Sequence, residues 1–185
     1  ALETMEIYAP IAHRLGLNLI YRDLQDVSFK HSMPMRFRVI EKAVKKARGN
    51  RREMVDKILQ TVRMQFAKAG IEVDLQGREK TLFSIYNKMH AKHLSFSQVL
   101  DVYAFRVTVH SVDESYRALG ILHSLYKPMP GKFKDYIAIP KLNGYQSLHT
   151  TLVGPSGVPV EFQIRTADMH AVAESGVAAH CAYKD

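Results

Sequence analysis

The residues best able to do chemistry lie between Lys127 and Arg165. This stretch reads KPMPGKFKDYIAIPKLNGYQSLHTTLVGPSGVPVEFQIR. It combines cations, a turn, an aromatic ring, a histidine and a carboxylate, which are Lys127, Lys132, Lys134, Lys141, Asn143-Gly144, Tyr145, His149 and Glu161. Lysines neutralise phosphate charge, a tyrosine ring stacks on a purine, and a carboxylate holds a metal ion or accepts a proton. The stretch therefore predicts a site that binds a nucleotide polyphosphate and catalyses a reaction of it.

Tyr145 and His149 stand four residues apart, across a turn and the start of an expected strand. The tyrosine ring could stack on a base, and the imidazole could contact a phosphate. Both side chains could equally be satisfied in a core or on a surface. Their spacing alone leaves that choice open.

Apolar and polar side chains alternate along the expected strand 159–165. Alternation sends the two sets to opposite sides of the strand. The sets are Val160, Phe162 and Ile164 against Glu161, Gln163 and Arg165. The pattern alone favours a polar side that faces solvent, and a polar side that lines a site is the alternative.

A second polar row lies on the helix expected over residues 79–91. Lys80, Ser84 and Lys88 are spaced i, i+4 and i+8, which places them on one helix face. The opposite face is apolar and must be the buried one; it consists of Leu82, Ile85, Tyr86 and Met89. With Arg78 just before the helix, this row could grip a triphosphate. Periodicity alone favours the simpler interpretation, an ordinary exposed basic face.

Asp101 opens a strand that is otherwise apolar. A carboxylate at a strand end, near clustered lysines, can hold Mg²⁺ while the ion also bridges phosphate oxygens. A strand-initiating Asp that accepts a local backbone hydrogen bond is the alternative. The sequence pattern does not choose between them.

Composition is that of a globular domain. The chain has 185 residues, 46% of them hydrophobic and 24% charged, which suits one domain or one domain with a helical extension. No apolar run is long enough for a membrane span, and no signal peptide is visible. The single cysteine, Cys181, suits a reducing cytoplasm. Ala1 in place of an initiator Met suggests a piece of a longer chain.

Much of the net charge of +8 lies between Arg36 and Lys57, where nine basic residues face three acidic ones. Contact with RNA or the ribosome is one interpretation of this basic segment. A solvated helical face that concentrates anionic substrates is the other. We favour the solvated face because no aromatic residues interleave with the charges, as base stacking would require.

Periodicity predicts an alternation of helices and strands that ends in successive strands. Gly16 is expected to cap the first helix, and Gly49-Asn50 to break the basic one. Helices are expected over 3–30, 35–48, 51–68, 79–91, 113–126 and 167–182, and strands over 71–76, 101–110, 135–139, 147–153 and 159–165. This order favours an α+β fold with a mixed β-sheet flanked by helices. No P-loop, GxGxxG, CxxC or HExxH pattern is present.

Four long runs, in order, resemble the synthetase domain of the RelA/SpoT family, the enzymes that make (p)ppGpp. They are REKTLFSIYNKM at 78–89, DVYAFRV at 101–107, GKFKDYIAIPKLNGYQSLHTT at 131–151 and VEFQIRTADMHAVAESGVAAHCAYK at 160–184. The resemblance outweighs the simpler interpretations above. It implies a nucleotidyltransferase-like fold. It also implies a GTP/GDP pyrophosphokinase, which transfers the β,γ-pyrophosphate of ATP to the 3′-hydroxyl of GDP or GTP.

The resemblance also implies residue roles. Asp101 and Glu161 match the catalytic pair, the former as Mg²⁺ ligand and the latter holding the metal or activating the 3′-hydroxyl. The ATP-binding residues it implies are Arg78, Lys80, Ser84 and Lys88. The GTP/GDP-binding residues are Lys132, Lys134, Lys141, Asn143, Tyr145 and His149, with Tyr145 stacked on guanine. Gln163 and Arg165 belong to the same matched strand.

The same resemblance suggests a wider context. Residues 1–34 are expected to link to an absent upstream hydrolase domain, and residues 35–185 to form the synthetase domain of a cytoplasmic parent with further regulatory domains. The basic Lys-Phe-Lys-Asp run at 132–135 is most like the bifunctional SpoT or Rel type, whereas synthesis-only members tend to carry an acidic version. Cys181 stands where many members have Trp. A catalytically silent guanine-nucleotide-binding domain that controls a linked hydrolase is the alternative.

Overall fold

The computed structural model describes residues 1–77, 80–96, 99 and 103–176, apart from the side chains of residues 47–51, 92 and 156. The helical elements are a π-helical turn Thr4–Tyr8, α1 Ala9–Arg14, α2 Asn18–Ser32, α3 Pro34–Lys68, α4 Leu82–Lys92, α5 Val112–Leu125, a 3₁₀ turn Pro155–Gly157 and α6 Ala167–Ser175. The strands are β1 Asp74–Gly77, β2 Tyr103–Val109, β3 Lys127–Pro128, β4 Lys134–Asp135, β5 Leu148–Val153 and β6 Pro159–Thr166. No helix among the described residues is long and apolar enough to cross a membrane.

The described residues form two compact units. The first contains residues 1–50, 80–96, 99 and 171–176, and the second contains residues 51–77 and 103–170. Each has its own apolar cluster.

The second unit contains one mixed sheet. Its strand order is β1-β2-β6-β5-β3, and β4 also pairs with β5. The central pair β2 and β6 is parallel, and every other pair is antiparallel. These strands are rich in β-branched and aromatic residues, which fit a pleated, half-buried surface. The predicted α+β fold with a mixed sheet flanked by helices is confirmed.

One face of the sheet carries the core of this unit. The rings of Phe105 and Phe162 stack with their centroids 5.4 Å apart. Helices supply the other layer of the cluster, through Ile58, Val62 and Phe66 of α3 and Ala118 and Leu122 of α5. Because side chains alternate along each strand, burying this apolar set leaves the polar set on the opposite face.

The first unit is built around Phe29 of α2, which is 1% exposed. Its ring packs against Phe37, Phe83 and Tyr86 at centroid distances of 5.7, 5.7 and 4.9 Å. The helix face that periodicity predicted to be buried in α4 does lie in this cluster, where Ile85 is 1% exposed.

The N-terminal end of α2 is also tied to α6 within the first unit. Asn18 Nδ2 donates to the carbonyl oxygen of Ala173 at 2.7 Å, and Arg22 forms an ion pair with Glu174.

The predicted break at Gly49-Asn50 is wrong, because α3 runs unbroken from Pro34 to Lys68. A glycine in a helix interior costs about 1 kcal/mol relative to alanine. Tertiary packing of the residues before and after it outweighs that cost, since Val44 and Ile58 are both buried.

The strand expected over 135–139 is also largely wrong, because β4 ends at Asp135. The Asp135 carboxylate accepts hydrogen bonds from the backbone N–H groups of Ile137 and Ala138 at 2.9 and 2.8 Å. These short-range hydrogen bonds turn the chain after Asp135. Aspartate favours such a turn over continued strand pairing. β1 also begins at Asp74, three residues later than expected, and residues 177–185, including Cys181, lie outside the described part of the chain.

Candidate functional site

The sheet face opposite the core is polar and partly buried. Parallel pairing aligns Glu161 with Ala104 and Gln163 with Arg106. On the other side of β6, antiparallel pairing aligns Gln163 with His149. Paired residues of neighbouring strands point to the same face. Gln163 is 6% exposed, and its neighbours Arg106 and His149 are partly buried, so this part of the face is not fully solvated.

Arg165 continues this face and is only 2% exposed. Its guanidinium lies 5.9 Å from the ring centroid of Tyr145, and its Nη2 lies 2.8 Å from Nδ1 of His170. A buried guanidinium is stable only where such partners replace its water. The solvent-facing interpretation of the polar side of β6 is therefore wrong at Gln163 and Arg165.

Four side chains meet at this face: Tyr136, Lys141, Tyr145 and His149. We call them the acceptor cluster, because three of them are predicted to bind the nucleotide that accepts the pyrophosphate, GDP or GTP. The Tyr145 hydroxyl and His149 Nε2 share a hydrogen bond of 2.8 Å. The Tyr136 ring meets His149 edge to face at 5.2 Å and Tyr145 at 6.2 Å. Lys141 Nζ lies 4.7 Å from the Tyr136 centroid and 5.1 Å from the Tyr145 centroid. The cluster joins aromatic faces to positive charge, which suits a nucleotide with its planar base and its phosphates.

A tight turn presents Tyr145. Gly144 has a φ of 74°, a left-handed conformation that glycine adopts without strain, and its N–H donates to the Lys141 carbonyl at 2.9 Å. Asn143 Oδ1 accepts from the Tyr145 N–H at 3.3 Å, so the asparagine stabilises the turn. The Asn-Gly sequence thus fixes the approach of the ring to His149.

Asp135 anchors the loop that leads into this turn. Partial burial opposes the charged carboxylate, but hydrogen bonds from the Ala138 N–H, the Tyr116 hydroxyl and the Ile137 N–H outweigh it. The pKa of Asp135 therefore lies below its ordinary value. The hydrogen bond from the Tyr116 hydroxyl to the Asp135 carboxylate is 2.9 Å long, and it raises the pKa of Tyr116.

The remaining predicted acceptor residues are on or beside this loop. Lys134 lies on β4, where it pairs with His149 and is exposed. Lys132 is exposed in the preceding turn, whose backbone hydrogen bond joins its N–H to the Met129 carbonyl at 3.2 Å. Both ammonium groups are thus accessible to phosphates.

Of the predicted carboxylate pair, Glu161 is described and Asp101 lies outside the described residues. Glu161 is partly buried near the start of β6, and its Oε1 accepts a hydrogen bond from Gln163 Nε2 at 3.2 Å. Among the described residues, no group of three or more His, Cys, Asp or Glu side chains could by itself hold a metal ion.

Three of the four predicted ATP-side residues are described, and they belong to the first unit. Lys80 precedes α4, and Ser84 and Lys88 lie on its first two turns. We call these three residues the donor row. Ser84 is exposed, and Lys80 and Lys88 are partly so. Arg78 lies outside the described residues.

The sequence patterns missed three side chains at the polar face. Arg106 lies beside Gln163, His170 contacts Arg165, and Tyr136 completes the acceptor cluster. The signal for Arg106 was present, because Arg106 and Thr108 interrupt an otherwise apolar β2 at alternate positions. No sequence spacing indicates His170, since its contact depends on how β6 turns into α6.

Comparison with known proteins identifies the family. The model of the RelA_SpoT family, described as a region found in RelA and SpoT proteins, matches residues 77–185. The bifunctional (p)ppGpp synthase/hydrolase SpoT of Escherichia coli K12 is 57% identical over 185 residues, which are 100% of this chain and 26% of that protein. A GTP pyrophosphokinase of Myxococcus xanthus is 43% identical over 185 residues, 100% of this chain and 24% of that protein.

A solved structure of an alarmone synthetase shares the fold. The small alarmone synthetase 1 of Bacillus subtilis, bound to its product pppGpp, superposes with a TM-score of 0.56 at 25% identity, covering 77% of this chain and 82% of that one. The chain spans about a quarter of the length of the curated relatives it matches. On the family match and the shared fold, this chain belongs to the RelA/SpoT family.

Proposed function

We propose that this chain is a (p)ppGpp synthetase domain. It transfers the β,γ-pyrophosphate of ATP to the 3′-hydroxyl of GDP or GTP and gives AMP with ppGpp or pppGpp. One observation carries the proposal: the acceptor cluster and Glu161 lie on the same polar face of the sheet. A sheet face that only packed against other elements would not need these polar side chains. The relatives described as a SpoT synthase/hydrolase and as a GTP pyrophosphokinase support it.

The acceptor nucleotide binds at the acceptor cluster. Its guanine stacks on Tyr145, whose ring orientation is set by the hydrogen bond to His149 and by the turn at Asn143. Lys132, Lys134 and Lys141 and the His149 imidazole serve its phosphates and base. Each lysine contributes a mobile point charge, which suits a ligand that must also be released.

The donor nucleotide binds through the donor row. Lys80 and Lys88 supply positive charge and Ser84 a hydroxyl donor; Ser84 and Lys88 stand one helical turn apart on α4, and Lys80 lies just before the helix. Arg78, which the sequence places just before Lys80, would add a further cation. We propose that this row holds the triphosphate of ATP.

The carboxylates Asp101 and Glu161 would hold the divalent ion that phosphoryl transfer from nucleotides generally uses, which we propose is Mg²⁺. Such an ion is held by one or two carboxylates and completes its shell with water and substrate phosphates, so a carboxylate pair fits it without a protein cage. In sequence, Asp101 precedes β2 by two residues, and β2 is the parallel neighbour of β6. When bound, the ion neutralises charge on the phosphate oxygens.

Transfer asks the chain mainly for alignment and charge. The 3′-oxygen forms a bond to the β-phosphorus of ATP, the bond from that phosphorus to the α,β-bridging oxygen breaks, and AMP leaves. Glu161 would accept the hydroxyl proton or hold the metal. ATP and GTP together bring roughly eight negative charges, whose repulsion in a partly dry cleft amounts to several kcal/mol. The lysines offset it.

Thin-layer chromatography of labelled ATP incubated with GDP and Mg²⁺ tests the proposal. Transfer of label from ATP to a guanosine tetraphosphate, with one AMP per product, is expected. Binding of guanine nucleotide without any product would favour the second candidate, a silent domain that controls a linked hydrolase. The Glu161 carboxylate favours the enzyme, because binding of a nucleotide alone does not need it.

The wider setting is also proposed. We infer a cytoplasmic parent in which residues 1–34 link to an upstream hydrolase domain and residues 35–185 form the synthetase domain, with regulatory domains downstream. The bifunctional relative supports a hydrolase domain in the parent.

RNA or ribosome contact through the basic segment 36–57 predicts steeply salt-dependent association, and binding that is insensitive to salt would contradict such contact.

A further inference from the structure

The N-terminus of α4 is capped by a carboxylate from another helix. Asp26 lies on α2, more than fifty residues earlier in the chain. Its Oδ1 accepts the Phe83 N–H at 2.9 Å, and its Oδ2 accepts the Leu82 N–H at 3.4 Å. The Thr81 hydroxyl accepts the next N–H, that of Ser84, at 3.2 Å. Together these oxygens satisfy the first three amide groups of the helix, which have no partner within it.

This cap lies where the donor row begins. Lys80 is in the extended segment before the helix, and Thr81 has extended backbone dihedrals of −64° and 151°. Ser84 and Lys88 stand on the helix itself. The residue at which the first turn starts therefore fixes the direction of Lys80 relative to Ser84 and Lys88. Fraying of that turn would spread the three side chains apart.

The cap is additional to a platform that is already packed. Phe29, one turn after Asp26 on α2, stacks on Tyr86 of α4 at 4.9 Å and meets Phe83 at 5.7 Å. The guanidinium of Arg36 also donates to the Tyr86 hydroxyl. These contacts hold α4 to α2 and α3 without Asp26. Removal of the carboxylate should therefore loosen the first turn while the helix stays docked.

We propose that Asp26 is a positioning residue for ATP: by capping α4 it holds Lys80, Ser84 and Lys88 in the geometry that the triphosphate requires. The proposal rests on the proposed function and extends it to a residue outside the matched motifs. Asp26 acts through α4 and does not touch the substrate.

Kinetics of the Asp26→Ala variant test this role. Loss of a helix cap corresponds to about 1 kcal/mol, so the KM for ATP should rise about fivefold while the KM for GDP stays within about twofold. Asp26→Asn keeps an oxygen that can accept the Phe83 N–H and should recover most of the ATP affinity. Asp23→Ala is the matched control, because Asp23 is an exposed carboxylate one turn earlier on α2.

Three results would overturn the proposal. One is an unchanged KM for ATP in Asp26→Ala. Another is a lower KM for ATP in both Asp26 variants, which would mean that the carboxylate repels the phosphates of ATP. The third is a parallel rise for both nucleotides with a lowered melting temperature, which would make it a general structural residue. If Asp26→Ala does not fold, Thr81→Ala removes the other first-turn cap and carries the same expectation.

Equilibrium binding separates this proposal from the proposed function. If the wild-type protein forms no product, the synthetase assignment fails. Calorimetric titration with a non-hydrolysable ATP analogue then still compares wild type, Asp26→Ala and Asp26→Asn. The same order of affinities supports the positioning role, and equal affinities refute it.

Discussion

Replacement of Tyr145 by alanine gives the sharpest test of the acceptor cluster. The ring is fixed by its hydrogen bond to His149 and by the cations of Lys141 and Arg165 near its faces. Stacking of a base on an aromatic side chain contributes about 1–3 kcal/mol. At about 1.4 kcal/mol per tenfold change, the KM for GDP should rise roughly 5- to 140-fold. The KM for ATP should stay within about twofold, because the donor row belongs to other elements.

Tyr145→Phe separates the ring from its hydroxyl. It keeps the stacking surface and loses only the hydrogen bond to His149, which contributes about 0.5–1.5 kcal/mol. Its KM for GDP should therefore lie between those of wild type and Tyr145→Ala. Initial rates at varied GDP and saturating ATP measure this, with exposed Tyr8→Ala as the matched control. Equal rises in KM for both nucleotides, or no rise in Tyr145→Ala, would refute base stacking.

Two further predictions concern His123, which contacts β5, and Asp135, which anchors the loop before that strand. Burial lowers the pKa of His123, whose Nε2 lies 2.9 Å from the buried Thr150 hydroxyl, below its ordinary value of 6.5. The unfolded chain therefore binds a proton that the folded chain resists, and the free energy of unfolding should fall as the pH drops below about 6.5. Urea titrations at about pH 7.5 and about pH 5.5 should show that His123→Gln reduces this difference, and an unchanged difference would contradict the assignment. The pKa of Asp135 is lowered, so its stabilising contribution is present above its ordinary value of 3.8 and is lost as the pH falls through the lower folded value. Asp135→Ala should lower the free energy of unfolding by roughly 1–2 kcal/mol and raise the KM for GDP more than that for ATP; wild-type stability at neutral pH would argue against the anchor.

Local patterns predicted the elements whose periodicity matches their burial. The apolar positions of α4 fall at helical spacing and pack around Phe29, as Ile85 does. The apolar side of β6 was predicted correctly, because Val160, Phe162 and Ile164 alternate along the strand and all lie in the core. The Asn143-Gly144 turn followed from turn chemistry alone. In each case the pattern that allowed the prediction lies within a few residues in sequence.

Other features depend on partners far away in the chain. Local propensity could not predict that α3 continues through Gly49, because packing on both sides of it decides the outcome. β3 and β4 have two residues each, too few for any periodicity, and form only because β5 offers both of them a pairing partner. The burial of Arg165 likewise depends on Tyr145 and on the turn from β6 into α6.

Residue type and spacing indicated the candidate residues, but the motif resemblance was needed to favour a site over the simpler interpretations. Spacing alone favoured a solvated surface for Gln163 and Arg165, and the fold buries both. Asp26 escaped every pattern, since an N-terminal cap is normally sought next to its helix. Only the fold brings this carboxylate to α4.

The central claim, that the Glu161 carboxylate serves pyrophosphate transfer, is tested most directly by the Glu161→Gln variant. Gln is isosteric and uncharged, so the hydrogen-bonded strand should persist while metal binding and proton acceptance are lost. The matched control is Glu72→Gln, which removes the same charge from an exposed side chain. With ATP, GDP and Mg²⁺, we expect wild type and Glu72→Gln to form ppGpp and AMP in equal amounts, and Glu161→Gln to form neither while still binding GDP. Full product formation by Glu161→Gln would contradict the account.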